Sequence, residues 1–326
     1  MEDHQPESYI EKMNKWGKQR QPFIFIIDFE NLNPVVLPVN QAAENEIYFK
    51  LPNMNNINNQ NIKQTEFTFR KFPISFNHFK KSFDQVSNEI KIGNSFLTNL
   101  TFPTPIETDL SLSEIFYRSD APYKLLFKDQ FVVFSPELFI TISGQTISSY
   151  PMKGTIDSSV PDAERKILND PKETAEHHTI VDMIRNDLSM VSTNVKVEKF
   201  RFINRIETSN KTLLQVSSKI SGQLPADYQA HLGDMLSKLL PAGSICGAPK
   251  KKTLEIICKS ETYKRGYYTG VFGVFDGAEL KSAVMIRFIE QNGSDLIFKS
   301  GGGITFYSDA RKEYQELIDK VYVPIH

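Results

Sequence analysis

Residues 123–151, YKLLFKDQFVVFSPELFITISGQTISSYP, constrain the fold of this 326-residue chain more than any other stretch. Apolar, strand-like runs follow one another there with no room for a helix between them. Strands joined so closely pair antiparallel, because a parallel partner needs a crossover of roughly a dozen residues or more. Around this stretch, PFIFIIDFE (22–30) and SFLTNLTF (95–102) read as strands, and FNHFKKSFDQVSNEIKIG (76–93) as a helix that stops at Gly93. Further helices are predicted over 171–191, 227–239, 249–261 and 310–321, and strands over 194–205, 213–224, 267–275, 280–289 and 295–299. Hairpin-linked strands interrupted by helices imply an α+β chain with largely antiparallel sheets. The first twenty residues are polar, and the Asn-rich segment 53–64 reads as a mobile loop. No boundary or short-period repeat divides the chain. Residues 1–326 are expected to form one domain, with 1–21 as a poorly ordered extension.

The net charge of −1 leaves no electrostatic footprint for nucleic acid, and the one basic cluster, Lys250-Lys251-Lys252, is too short to supply it. Two cysteines, Cys246 and Cys258, exclude a disulfide framework, and Cys258, ending the run LEIIC, is expected in the core. The start MEDHQPESYI is polar, and no apolar run approaches membrane-spanning length. A soluble cytoplasmic protein is expected, with no membrane partner.

The predicted 171–191 helix carries a pair of misplaced acids. At about 100° per residue, Ile180, Val181, Met183, Ile184, Leu188, Met190 and Val191 fall in one arc, and Glu173 and Glu176 lie inside it. Asp170 as N-cap and Pro171 in the first turn explain Glu173 through a capping box, but leave Glu176 unexplained. The last helix repeats the spacing with Glu313 and Glu316; there Tyr314, Leu317, Ile318 and Val321 form the buried stripe, and the pair alone reads as a solvated face. If the four carboxylates converge, they require a cation, and oxygen ligands suit Mg²⁺.

Other features could hold an anion. SGGGIT (300–305) reads as a glycine loop whose backbone N–H groups can approach a carboxylate closely. PAGSICGAPK (241–250) leads into a helix N-terminus. Arg287 interrupts the apolar strand SAVMIRFIE and needs an anionic partner, either a structural salt bridge or a ligand. Lys153, in SYPMKGTI, sits at a bend between a proline and a Gly-Thr pair, as a surface cation or as a nucleophile in a cleft. Together these features point to a small, multiply anionic substrate.

In order along the chain, SPELFI, YPMKGTI, AEHHTIVDMIRNDL, LPAGSICGAPK, ETYKRGYYTGVFG, AVMIRF, SGGGIT and EYQEL closely resemble the motifs of the chorismate-utilising enzymes. The resemblance runs from near Pro22 to the C-terminus. It implies two packed antiparallel sheets with helices outside, and Mg²⁺ to bind the chorismate carboxylates. Lysine in P-x-K-G-T is similar to the aminodeoxychorismate synthase component I branch, where anthranilate-forming members carry a small residue. That branch implies attack of neutral Lys153 on C2 with loss of the C4 hydroxyl, then addition of ammonia at C4, towards p-aminobenzoate and folate. Glu137 in SPELF matches the general acid. Glu173, Glu176, Glu313 and Glu316 fall on the Mg²⁺-binding helices, with Glu176 and Glu316 as direct or water-mediated ligands. Arg287 and Tyr268 match carboxylate-holding positions, and Gly301, Gly302 and Gly303 supply backbone donors. Ser244, Gly247 and Thr155 belong with the substrate, and Lys250 lies near the metal and the ring carboxylate.

Two positions depart from the family pattern: Leu97 replaces a glutamine, and Gln215 replaces a histidine. Neither cysteine lies in a glutaminase nucleophile segment, so ammonia is expected from a separate glutamine amidotransferase subunit. An anthranilate or isochorismate synthase, or a non-catalytic chorismate-binding paralogue, are the alternatives.

Overall fold

The structure, a computed structural model, describes residues 8–57, 66–207 and 212–325. The strands of its first half are β1 (Phe23–Ile27), β2 (Val35–Pro38), β3 (Ile47–Leu51), β4 (Met54–Asn55), β5 (Phe69–Lys71), β6 (Leu97–Thr108), β7 (Tyr123–Phe127), β8 (Phe131–Ser135), β9 (Leu138–Ser143), β10 (Thr146–Ser149) and β11 (Met152–Asp157). Those of the second half are β12 (Thr193–Glu207), β13 (Thr212–Gln223), β14 (Gly247–Ala248), β15 (Val271–Phe275), β16 (Leu280–Val284), β17 (Phe288–Asn292) and β18 (Asp295–Thr305). The α-helices are α1 (Tyr9–Lys18), α2 (Phe76–Lys91), α3 (Leu112–Arg118), α4 (Ala163–Asn169), α5 (Pro171–Ser189), α6 (Leu232–Leu239), α7 (Gly243–Cys246), α8 (Lys250–Ser260) and α9 (Ala310–Asp319).

The strands form two nine-stranded antiparallel sheets. One runs β11-β13-β10-β9-β16-β15-β1-β2, with β12 also on β13. The other runs β14-β6-β18-β17-β8-β7-β3-β4, with β5 on β6. Strand β1 shows why an unbroken apolar run is needed. Side chains alternate across a strand, so Ile24 and Ile26 pack between the sheets with Phe49, Leu125, Phe131, Phe272 and Phe288. Phe23, Phe25 and Ile27 pack on the other face, in the cluster that also holds Ile184 and Leu188 of α5 and Leu232 and Leu236 of α6. The α+β reading with antiparallel sheets agrees with this architecture.

Several boundaries differ from the sequence reading. The predicted strand 280–289 is two strands in different sheets, β16 and β17, and the predicted strand 267–275 begins only at Val271. The predicted glycine loop lies within β18, paired along β6 from Leu296↔Ile106 to Thr305↔Leu97. Helix α1 is capped by Ser8 through a full capping box and is tied to α6, where Asn14 bonds to Asp234 and to the Gly233 N–H. The described part of the N-terminal extension is therefore ordered. Within the Asn-rich segment, Met54–Asn55 forms β4, and 58–64 lies outside the described residues. Cys258 is exposed, because LEIIC is helical and its buried face is Thr253, Ile256, Ile257 and Ser260.

Ile26 is fully buried between the sheets. Truncating it to alanine is expected to cost about 2–5 kcal/mol in denaturant unfolding, by lost transfer energy and the cavity left behind.

Candidate active site

A cleft of about 450 Å³ gathers residues of both sheets with α5, α7 and α9, a size suited to a small ligand. Two crossings of the chain between the sheets help to build it. One lies between β8 and β9 and carries Glu137; the other lies between β16 and β17 and carries Arg287. Because β8 pairs with β17 and β9 with β16, the crossings run side by side. The Val284 N–H donates to the Glu137 carbonyl and the Phe134 N–H to the Arg287 carbonyl, both at 3.1 Å.

Both side chains line the cleft. Arg287 adopts φ 54°, in the left-handed region, which costs a non-glycine residue about 1–3 kcal/mol. Its guanidinium lies 5.3 Å from the Tyr322 ring centre and forms no ion pair with a described carboxylate. Of the two readings of this arginine, the internal salt bridge is not what the fold builds. The Ser244 hydroxyl, from α7, donates a hydrogen bond to Glu137 Oε1. Burial raises the Glu137 pKa above the ordinary glutamate value, opposed in part by that bond and by Lys153.

Lys153 enters from the edge strand β11. The register of β11 on β13 shifts between Met152 and Thr155, and Gly154 in that interval has φ 81°. The bend read from the sequence is therefore a bulge within a strand, a device that re-aims a side chain. A Cβ on Gly154 would stand 3.1 Å from Glu173 Oε2. The Lys153 side chain is 24% exposed, and its Nζ lies 3.3 Å from Glu176 Oε2. Burial favours the neutral amine, but Glu176, Glu316 and Glu173 together outweigh it and hold the Lys153 pKa above the usual lysine value. With only carboxylates and no cation beside it, the protonated form of Lys153 is favoured.

Glu173 and Glu176 of α5 and Glu313 and Glu316 of α9 all line this cleft. Glu176 is 7% exposed, as its place in the apolar arc implies; Glu313, read as part of a solvated face, is 5% exposed. Glu316 pairs with Lys320 one turn later at 2.6 Å, and Lys320 Nζ also donates to the Gly301 carbonyl at 2.9 Å. Burial lowers the Lys320 pKa against the pull of Glu316. Among the described residues, no three carboxylate, imidazole or thiol groups gather closely enough to enclose an ion alone. The donors are all oxygen, and one oxygen each of Glu313 and Glu316 lies 3.6 Å from where a Gly302 Cβ would stand. Such a set fits a hard divalent cation that keeps water and substrate oxygens in its shell.

The remaining predicted residues divide. Tyr268, Thr155, Ser244 and Gly301 to Gly303 line the cleft, as does Gln215, the register partner of Thr155. Burial raises the Tyr268 phenol pKa. Gly247 and Lys250 do not line it. Lys250 Nζ bonds to Asp187 at 2.9 Å and to the Leu239 carbonyl at 3.0 Å, joining α8 to α5 and α6. Gly247 is needed for close packing, since a Cβ there would stand 1.8 Å from the Leu97 carbonyl oxygen. Sequence reasoning did not single out Asn99, Lys299 or Lys320, which also line the cleft. Only Lys320 left a local signal, its i,i+4 spacing from Glu316.

Residues 32–326 match the family described as chorismate binding enzyme. The chain belongs to the chorismate-binding enzymes. This family member is 50% identical over 319 residues to an uncharacterized PabA-like protein of Pasteurella multocida (strain Pm70), covering 98% of both chains. It is 33% identical over 251 residues to anthranilate synthase component 1 1 of Haloarcula marismortui, 72% of this chain and 50% of that one. It is 29% identical over 268 residues to aminodeoxychorismate synthase component 1 of Bacillus subtilis (strain 168), 77% of this chain and 55% of that one. Among solved structures, anthranilate synthase component I of Streptococcus pneumoniae superposes with a TM-score of 0.65 at 25% identity, over 78% of this chain and 59% of that one. The menaquinone-specific isochorismate synthase MenF of Escherichia coli shares the fold, with a TM-score of 0.72 at 15% identity over 96% of this chain and 79% of that one.

The glutamate pull on Lys153 has a measurable consequence. Amine-reactive labelling follows the neutral fraction, so in chelator-treated protein Lys153 is expected to react only as pH rises through a value above that of ordinary lysines. In Glu176→Gln the strongest upward influence is gone and the labelling curve should move to lower pH, read by mass spectrometry of the peptide. An unmoved curve would contradict the electrostatics described here.

Proposed function

We propose that this chorismate-binding enzyme aminates chorismate at C4, as an aminodeoxychorismate synthase component I, through a covalent bond to Lys153. The observation that carries the reading is the bulge at Gly154, which turns a lysine into the cleft that Glu137 and Arg287 also line. The amine attacks C2 and both ring double bonds shift, C1=C2 to C1=C6 and C5=C6 to C4=C5. The C4 hydroxyl leaves as water, taking the proton of Glu137, whose raised pKa suits a carboxyl that must stay protonated until then. Ammonia then adds at C4 and the C2–N bond breaks, returning the electron pair to lysine. Arg287 and the glycine edge would hold the substrate carboxylates.

Before the attack Lys153, whose Nζ lies 3.3 Å from Glu176 Oε2, must lose a proton. Glu173, Glu176, Glu313 and Glu316 would hold Mg²⁺ together with a substrate carboxylate. A bound cation supplies positive charge that offsets the glutamates' hold on the Lys153 proton. The residues themselves supply the walls, the acid and the nucleophile. Ammonia would come from a glutamine amidotransferase subunit: the buried Cys246 thiol, its pKa pushed up to about 12 by burial, is no nucleophile, and neither cysteine lines the cleft.

Incubation with chorismate, Mg²⁺ and an ammonium salt should yield 4-amino-4-deoxychorismate by mass spectrometry and chromatography against standards; anthranilate or isochorismate as the product would overturn the assignment. Lys153→Ala should abolish the 4-amino product, and Glu137→Gln should lower kcat by about 10²–10⁴. Arg287→Gly relieves the left-handed backbone yet removes the guanidinium. Its melting temperature should hold while KM for chorismate rises about 10-fold or more, the scale of one charged hydrogen bond.

A further inference from the structure

Behind the cleft, one ion pair is sealed from solvent. The side chains of Arg265 and Glu261 are 1% and 2% exposed, and neither lines the cleft. They meet in a two-pronged contact, Nε to Oε2 at 2.9 Å and Nη2 to Oε1 at 2.6 Å. Removing two charges from water is costly, and their attraction offsets that cost only when the remaining donors and acceptors are also bonded. Here those bonds go to three different segments. Arg265 Nη2 donates to the Asn99 carbonyl at 2.7 Å, and Nη1 to the Ile245 carbonyl at 3.0 Å and to Thr269 Oγ1 at 3.3 Å. Glu261 Oε1 accepts from the Thr101 N–H at 2.9 Å and from its hydroxyl at 2.8 Å. Asn99, Ile245 and Thr269 are cleft residues.

The bonds to β6 fix more than position. In an antiparallel ladder, facing residues either exchange both backbone bonds or turn both pairs of groups outward. Thr101 faces Gly301 and Asn99 faces Gly303. Since the Thr101 N–H and the Asn99 carbonyl turn outward to Glu261 and Arg265, both facing pairs are of the outward kind. Gly301 and Gly303 therefore turn their own backbone groups away from β6, and the Gly301 carbonyl meets Lys320, a cleft residue. Strand β17 pairs with β18 only as far as Lys299, so these two glycines have no strand on that side. On its outer edge β6 pairs with β14 at Leu97 and Thr98 and with β5 from Ile106 onward. Between them, Glu261 and Arg265 occupy the edge where a strand would otherwise pair. The Arg265 backbone is itself pinned, its N–H to Glu30 at 3.0 Å and its carbonyl to Lys299 Nζ at 2.9 Å.

We propose that Glu261 and Arg265 are positioning residues that stand in for a missing strand on β6 and thereby fix which backbone donors of the Gly301–Gly303 edge meet the anionic substrate. The proposal rests on reading the cleft as a chorismate site, not on which product forms. It differs from a general contribution to the core, because its effect is local to one edge and falls on substrate binding.

The test uses the full chain with Arg265→Lys, which keeps the charge but presents one nitrogen where three bonded ones stood, and Glu261→Gln as the milder change. Hydrogen–deuterium exchange should quicken roughly 10-fold or more in peptides covering 97–103 and 299–305, with peptides covering 23–27 and 271–275 unchanged. KM for chorismate should rise about 10-fold with kcat altered far less, the pattern of lost uniform binding. If Arg265→Lys fails to fold, the same two readouts on Glu261→Gln decide. Folded variants with unchanged exchange at the glycine edge and unchanged KM would overturn the proposal, as would exchange that quickens equally in all four peptides. If the unaltered protein neither binds nor converts chorismate, the functional reading fails, while the exchange comparison still judges the positioning role.

Discussion

The contact between Lys153 and Glu176, 3.3 Å apart and mostly shielded from water, is the interaction on which the cleft depends. Four glutamates share this space with Glu137, and such a group of carboxylates cannot all ionise there without positive charge close by. Lys153 and Lys320 each neutralise one of them directly. Arg287 stands apart from these pairs, over Tyr322. The glutamates thus favour a protonated Lys153, and Arg287 lines the same cleft. Binding of an anionic substrate together with a cation would redistribute those pairs.

The fold supplies this arrangement through strands that change sheet. Each crossing interrupts the ladder for two or three residues, which frees a side chain from the alternation that would bury it or turn it outward. Glu137 and Arg287 occupy the two adjacent crossings, and Lys153 occupies a bulge on an edge strand. The carboxylates come instead from α5 and α9, whose packing sets how closely they approach the sheets. Strands, crossings and helices therefore each contribute a different chemical component, and none of them alone forms the site.

Much of this was legible in the chain. The hairpin-rich stretch 123–151 announced antiparallel sheets, and the position of Glu176 in an apolar arc announced a buried acid. What could not be read depends on contacts distant in sequence. The glycines 301–303 looked like a loop because glycine carries no strand signal; they are a strand because β6 lies alongside them. SAVMIRFIE looked like one strand because nothing local marks the left-handed turn at Arg287. Lys250 matched a motif beside the ligand, yet its amine is taken by Asp187 and the end of α6. The charge on Lys153 in the cation-free cleft was hidden for the same reason: burial argues for a neutral amine, and only the three-dimensional placement of three glutamates opposes it.

The central claim is that Lys153 bonds covalently to the substrate during turnover. Its most direct test is intact-protein and peptide mass spectrometry of the enzyme incubated with chorismate and Mg²⁺ while ammonia is withheld. The expected result is a protein heavier by chorismate less one water, with the added mass on the peptide containing Lys153 and lost again when ammonium is supplied. Steady turnover to an aminated product with no mass added at Lys153 under any of these conditions would contradict the account.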